Sequence, residues 1–235
     1  MAKSKSLTLA ALLLCASVGA GAAPSMLGPT GTLLLPDARV LPMGQLVGTG
    51  GGIWVDRAGT TDANEWYSLN AGVLPRVEAG VSRVTYRTRR ATGTPIHAKF
   101  QVLPERGYRP GLAVGSVDLT NETSSQGTAY VTVSGPIWAP LDLFTGEAVH
   151  PLRAVAGIGT GIYGGSPFAG LDWQAHNRAR LIVEYTKFSP LGISNSHVFN
   201  LGGQFTFGNS VVINAGAVDM RYPAVSASLL VNSLW

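Results

Sequence analysis

The sequence predicts an all-β protein, a transmembrane antiparallel β-barrel of about 12 strands, within a range of roughly 10 to 14. Two patterns indicate this fold: apolar and polar residues alternate with a period of two, and Gly- or Pro-rich turn signals recur every ten or so residues. A third is an amphipathic last segment that ends on Trp235. After residue 22, no run approaches the roughly 18 to 20 apolar residues that a membrane-spanning helix needs.

Residues 1–22 are expected to be a secretory signal peptide. Lys3 and Lys5 give a basic start, Leu7–Val18 an apolar core, and Ala20–Ala22 the small-x-small pattern of a cleavage site. Lipidation of Cys15 is disfavoured because Leu14 precedes it where a small residue is expected. The mature chain then has no cysteine, which excludes disulfides and thiolate metal sites.

The charge of the mature chain argues against nucleic acid as a partner. Without Lys3 and Lys5 the 17 basic residues fall to 15, against 13 acidic ones, so the excess is only +2. A phosphate-binding face needs a concentrated basic field. Thirteen of these 15 residues are Arg, which binds carboxylates and phosphates in a forked geometry and suits acidic sugars or lipid A phosphates.

Residues 23–44 form a Gly- and Pro-rich segment before the first long strand. Gly28-Pro29-Thr30-Gly31 can form a tight turn, because Pro fixes φ and Gly accepts positive φ. Pro36 and Pro42 forbid a continuous strand ladder. The segment is expected to be a periplasmic hairpin or a plug folded into the barrel, with a plain leader to the first strand as the alternative.

Residues 45–235 are expected to form the barrel. Most of the predicted strands have the about 9 to 11 residues of a tilted membrane strand. They are residues 45–55, 64–73, 76–86, 95–103, 111–119, 127–138, 152–163, 166–173, 179–187, 196–207, 210–218 and 224–235. Aromatic residues near strand ends suggest girdles at the membrane interfaces: Trp54, Tyr86, Trp138, Tyr163, Phe207 and Trp235. A secreted glycan-binding β-sandwich is the alternative, although its strands are usually shorter.

The last strand resembles the signal that the barrel-assembly machinery reads in outer-membrane barrels. Leu229, Val231 and Trp235 lie on one face of this strand, and the strand ends on the aromatic residue. The resemblance implies a bacterial cell outer membrane location, with outer-membrane lipid and the assembly machinery as partners.

The segment GPTGTLLLPDARVLPMG resembles the entry motif of the YjbH-like family of outer-membrane proteins, which are associated with exopolysaccharide biosynthesis. The matching residues are Gly28, Thr30, Gly31, Leu33, Pro36, Ala38 and Gly44. Thr32 and Asp37 depart from the family pattern. Family members are often much longer, so the resemblance implies a short, single-barrel relative.

Catalytic and cofactor motifs are poor in this sequence. The four histidines have no metal-ligand spacing, and the sequence predicts neither a metal nor a cofactor. The one catalytic grouping that the topology allows is His197 with Ser194 or Ser196 and Asp219, and no G-x-S-x-G elbow supports it. Charged residues of both signs are expected to face the lumen and pair across it: Arg76, Glu78, Lys99, Asp118, Asp172, Arg180 and Glu184.

The sequence therefore predicts a non-enzymatic outer-membrane barrel that assists export or surface assembly of an exopolysaccharide. An outer-membrane lipid A or phospholipid hydrolase is the enzymatic alternative. Acidic polysaccharide and export proteins are the candidate partners, and an Arg-rich hairpin is the candidate anion-binding element: Arg83, Arg87, Arg89 and Arg90.

Overall fold

The computed structural model describes residues 23–57, 60–86, 91–122, 127–140, 149–187 and 197–232. Within these ranges the strands are Leu46–Arg57 (β1), Thr60–Leu74 (β2), Val77–Tyr86 (β3), Ala91–Gly93 (β4), Ile96–Leu103 (β5), Gly111–Asp118 (β6), Thr128–Trp138 (β7), Leu152–Gly159 (β8), Ser166–His176 (β9), Ala179–Thr186 (β10), Val198–Phe207 (β11), Val211–Val218 (β12) and Tyr222–Val231 (β13).

The strands close into a barrel. Each pairs antiparallel with its neighbours, and β1 pairs with both β2 and β13, so the sheet has no free edge. Two short strands, β4 and β5, both pair with β3 and together occupy one position in the wall. The described residues therefore form a closed barrel of twelve positions, which confirms the predicted fold class and excludes the β-sandwich.

The wall is apolar outside and polar inside. In β11, Phe199 and Leu201 are 53% and 46% exposed, whereas Asn200 and Gln204 are 1% and 4% exposed. Alternation places successive side chains on opposite faces, so the exposed set forms the outer surface. A surface of this kind is stable only against lipid, which makes the barrel transmembrane.

The two ends of the barrel are distinguished by the chain termini. We call the end where β1 begins and β13 ends the inner rim, and the opposite end the outer rim. The turns between β2 and β3, β9 and β10, and β11 and β12 lie at the inner rim. Among the described residues there is no helix of the length and hydropathy that a membrane span requires.

Two aromatic residues that were expected at the membrane interfaces lie inside the barrel instead. Tyr86 and Tyr163 are buried, whereas Trp54, Trp138 and Phe207 face outward as expected. Tyr163 leaves the predicted strand because the chain turns at Gly161–Tyr163 into a short 3₁₀ turn, which Gly164 ends in the left-handed region. Its ring packs against Tyr130 and Phe168 below the outer rim.

The connection between Trp138 and Leu152 is long, and its length in the sequence is compatible either with a functional loop or with a further pair of strands. Its residues 141–148 lie outside the described part of the chain. The flanking strands β7 and β8 pair directly with each other from Tyr130 to Trp138, so no strand is miscounted here.

If the chain is a membrane barrel, the folded protein in detergent should run faster on an unheated gel than after boiling. The reason is that a closed sheet has to break all its pairings together, so it resists unfolding by detergent alone. Gel migration before and after heating measures this. A monomer that is freely soluble without detergent would contradict it.

Candidate functional site

The residues 23–44, which we call the plug, lie inside the barrel. Met26, Leu33, Leu35 and Leu41 are at most 1% exposed. Inward-facing side chains of β2, β3, β5, β7 and β10 form hydrogen bonds with the plug. Of the arrangements that the sequence allowed for these residues, the structure has the inward-folded plug.

Glu78 on β3 forms hydrogen bonds with the plug at two places along its length. Its carboxylate accepts hydrogen bonds from the backbone N of Thr30 at 2.8 Å, from the Thr30 hydroxyl at 2.6 Å and from the backbone N of Leu41 at 3.1 Å. Lys99 on β5 donates to the carbonyl oxygen of Thr30 at 2.7 Å and lies 3.8 Å from Glu78. A buried carboxylate with these partners meets the requirement that buried charges be paired and hydrogen-bonded.

Glu184 on β10 holds the tip of the plug on the other side of the lumen. It accepts from the backbone N of Leu34 at 2.9 Å, from that of Leu35 at 3.1 Å and from the hydroxyl of Thr32. The side-chain amide of Asn200 donates to the same carboxylate at 3.1 Å. One wall residue thus accepts the hydrogen bonds of the N–H groups in the turn at which the plug reverses direction.

A charged network lies between the plug and the wall. Asp37 forms an ion pair with Arg39 in the plug and lies 4.0 Å from Lys99. Arg39 also lies 3.9 Å from Asp172, which Arg180 approaches to 3.3 Å. Burial opposes ionisation of Asp37, but the nearby charges of Arg39 and Lys99 outweigh it and hold the pKa of this carboxyl below its ordinary value.

Of the lumen charges that the sequence predicted, the buried ones are Glu78, Lys99, Asp118, Asp172 and Glu184. Arg180 is half-buried and faces inward. Arg76 was wrongly placed in the lumen: it is exposed in the turn between β2 and β3 with a φ of 69°. The pairing was expected across the lumen, whereas much of it runs through plug residues.

The motif residues all belong to the plug, and several have a defined structural role. A Cβ at Gly31 would lie 2.0 Å from the carbonyl oxygen of Leu35, so the hairpin admits only glycine there. Leu33 packs into the space above Gly202 and Gly216 of the wall, where an added Cβ would lie 3.0 to 3.2 Å from its methyl groups.

The remaining motif residues fix the plug backbone. The carbonyl oxygen of Gly28 accepts from Asn70 at 2.8 Å, that of Pro36 accepts from Thr132 at 3.0 Å, and the backbone N of Ala38 donates to Ser134 at 3.0 Å. Gly44 closes the segment with a φ of 84° and a bond to Gly72.

Thr32 and Asp37, which depart from the family pattern, both form polar contacts inside the barrel. Thr32 donates to Glu184, and Asp37 pairs with Arg39. Sequence reasoning also missed Asn70, Thr132 and Ser134 as plug ligands. In the sequence each of them is a small polar residue on the inward face of a strand. A barrel with a water-filled lumen has the same pattern, so the pattern alone does not indicate a plug.

The predicted anion-binding hairpin is described only in part. Arg83 is exposed on β3, opposite Tyr67 of β2, and faces away from the lumen. Arg87, Arg89 and Arg90 lie outside the described residues. Of the assembly signal, Leu229 and Val231 face outward near the inner rim, as the pattern predicts, and Trp235 lies outside the described residues.

The alternative catalytic grouping is also described only in part. His197 stacks on Tyr185 and shares a hydrogen bond with its hydroxyl. The backbone N of Asp219 donates to Asn200 at 3.1 Å. Ser194 and Ser196 lie outside the described residues. In the described part of the chain, no three His, Cys, Asp or Glu side chains come together as a metal site.

No family model and no curated protein matches this chain. The crystal structure of the Acinetobacter baumannii outer membrane protein Omp33 has a similar fold, with a TM-score of 0.51 and 10% sequence identity. The match covers 79% of this chain and 97% of that one. At this identity the likeness concerns the fold, which is that of an outer-membrane barrel.

Replacing Glu184 with Ala should loosen the plug. The substitution leaves the buried N–H groups of Leu34 and Leu35 without an acceptor, at about 1–3 kcal/mol for each such group. We expect a lower unfolding temperature and faster protease cleavage within residues 23–44. Glu122→Ala, at an exposed carboxylate beyond β6, is the matched control. Equal protection of the plug in both variants would contradict the role of Glu184.

The stabilisation that Asp37 provides should depend on pH. Its lowered pKa means that the ionised form is favoured in the folded protein, so its contribution is complete above the ordinary value of 3.8 and is lost as the pH falls through the folded value. The difference in unfolding temperature between the wild type and Asp37→Asn should therefore be largest near neutral pH and shrink below about pH 4. Tryptophan fluorescence in detergent measures both proteins. A difference that grows on acidification would contradict the ion-pair network.

Proposed function

We propose that this chain is a non-enzymatic protein of the bacterial outer membrane that assists the export or surface assembly of an exopolysaccharide. The observation that carries the proposal is that the segment resembling the YjbH-like entry motif is the plug, in which motif residues meet specific requirements of turn, packing or hydrogen bonding. The residues that carry the resemblance thus lie together in one structural unit, which supports the proposal.

The outer surface supports the membrane location. Large apolar side chains cover the described strands on their outward face, and the barrel fold is similar to that of an outer membrane protein. We propose that residues 1–22 direct export and are removed, and that the last strand with Trp235 is read by the barrel-assembly machinery. Outer-membrane lipid then covers the wall.

The filled lumen favours an accessory role over that of a conduit. A barrel of twelve strands leaves limited interior space, and here the plug occupies much of it. A polymer would meet the rims and their loops, where Arg side chains can bind carboxylates or phosphates. Acidic polysaccharide and the proteins that export it are therefore the partners we propose.

Deleting the gene and measuring surface polysaccharide together with outer-membrane lipid composition tests this function. We expect the polysaccharide to decrease and the lipid composition to stay as in the wild type, with recovery when the intact gene is restored. Restoring the His197→Ala variant should give the same recovery.

Two results would contradict the proposal. Surface polysaccharide that is unchanged by the deletion would remove the export role. A change in lipid acylation that the wild type reverses and His197→Ala does not would favour the hydrolase.

A further inference from the structure

A polar cavity of about 280 Å³ opens at the inner rim. It lies between the ends of the plug, at Ala23 and Pro42, and the turns that join β9 to β10 and β11 to β12. Its polar side chains include Gln45, Gln174, Arg178, Arg180, Gln204 and Asn209. The plug thus leaves a recess on this side of the barrel.

The charge of this cavity has one sign. Arg178 and Arg180 line it, and no carboxylate does so among the described residues. Arg180 approaches Asp172 to 3.3 Å, whereas Arg178 has no carboxylate partner in the described part of the chain. At least one guanidinium is therefore available to an anion, and Arg binds planar oxyanions with two parallel hydrogen bonds.

The amide side chains add hydrogen-bond acceptors. The amide nitrogen of Gln204 donates to Asn214 at 2.9 Å, and that of Gln45 donates to Asn232 at 2.6 Å. Each bond uses one of the two N–H donors of its amide, and neither Oε1 accepts a hydrogen bond within the described residues, so each Oε1 can accept from a hydroxyl group. A sugar presents several hydroxyl donors to such acceptors at once, more than a small inorganic anion can.

We propose that this cavity binds one acidic sugar residue of uronic-acid type, with its carboxylate on Arg178 and its hydroxyls on Gln45 and Gln204. The volume is just below the range of about 300–1,000 Å³ of drug-sized sites, which suits a single sugar and not a threaded chain. The proposal rests on the proposed function, because it names the class of polymer unit that the barrel would meet at its inner rim.

Binding of glucuronate, glucose and inorganic phosphate to the purified barrel in detergent tests the site. Titration calorimetry should show glucuronate binding well above glucose, which has similar hydroxyls without the carboxylate, and above phosphate, which lacks the sugar ring and its several hydroxyls. Arg178→Gln should weaken glucuronate binding about tenfold, as loss of a charge-assisted pair implies. Arg178→Lys should retain part of the affinity.

Arg76→Gln is the matched control, since Arg76 is exposed at the same rim and does not line the cavity. The change in gel migration on heating verifies that each variant is folded. Equal glucuronate affinity of Arg178→Gln and Arg76→Gln would overturn the site. Phosphate that binds more tightly than glucuronate would also overturn it, because the cavity would then be a general anion site.

The two proposals fail separately. If the deletion strain regains its polysaccharide with the wild type but purified protein does not bind glucuronate, the sugar site is wrong and the function stands. If glucuronate binds and Arg178→Gln weakens it, but the deletion leaves surface polysaccharide unchanged, the site stands and the export role is wrong.

Discussion

The constraint on which the interior depends is the need to satisfy the backbone of a segment that has no regular secondary structure. The plug reverses direction inside the barrel, and some of its N–H groups pair with its own carbonyl oxygens, as Met26 does with Leu33, but the segment forms no continuous strand ladder that would pair them all. Glu78 and Glu184 accept several of them at once, from opposite parts of the wall. The position of the plug in the barrel therefore depends on these two buried carboxylates. The other contacts of the plug are compatible with that position.

The same arrangement explains why the barrel interior has two chemical zones. Toward the outer rim the plug residues Met26, Leu33 and Leu34 pack with Ile53 and Trp66 in an apolar cluster. Toward the inner rim the ion pairs of the plug are followed by the polar cavity. Burial of apolar surface stabilises the first zone, whereas in the second the ion pairs and hydrogen bonds offset the cost of burying charged groups.

The barrel could be predicted from sequence because strand alternation is local. In β7, for example, Tyr130, Thr132 and Ser134 alternate with outward-facing Val131 and Val133, and the pattern is visible within seven residues. The plug contacts could not be predicted in this way, because they join residues far apart in sequence. Thr30 and Glu78 are 48 residues apart, and Leu34 and Glu184 are 150 apart. In the sequence, a Glu on an inward face gives the same pattern whether its carboxylate contacts water, an Arg side chain or the backbone of a turn.

The energetics of the plug bear on what kind of role the barrel can have. Moving the plug out would expose the apolar cluster and would leave Glu78 and Glu184 without their backbone donors, unless water entered the lumen to replace them. Each buried group left without a partner costs about 1–3 kcal/mol, and these groups would be lost together. Spontaneous movement of the plug out of the barrel is therefore disfavoured, because the costs of several unpaired buried groups add together. A ligand at the inner rim would therefore meet the barrel with the plug in place, and of the two arginines that line the cavity, Arg180 is held by the charged network through Asp172. This is why we place recognition at the rim and not in a channel through the barrel.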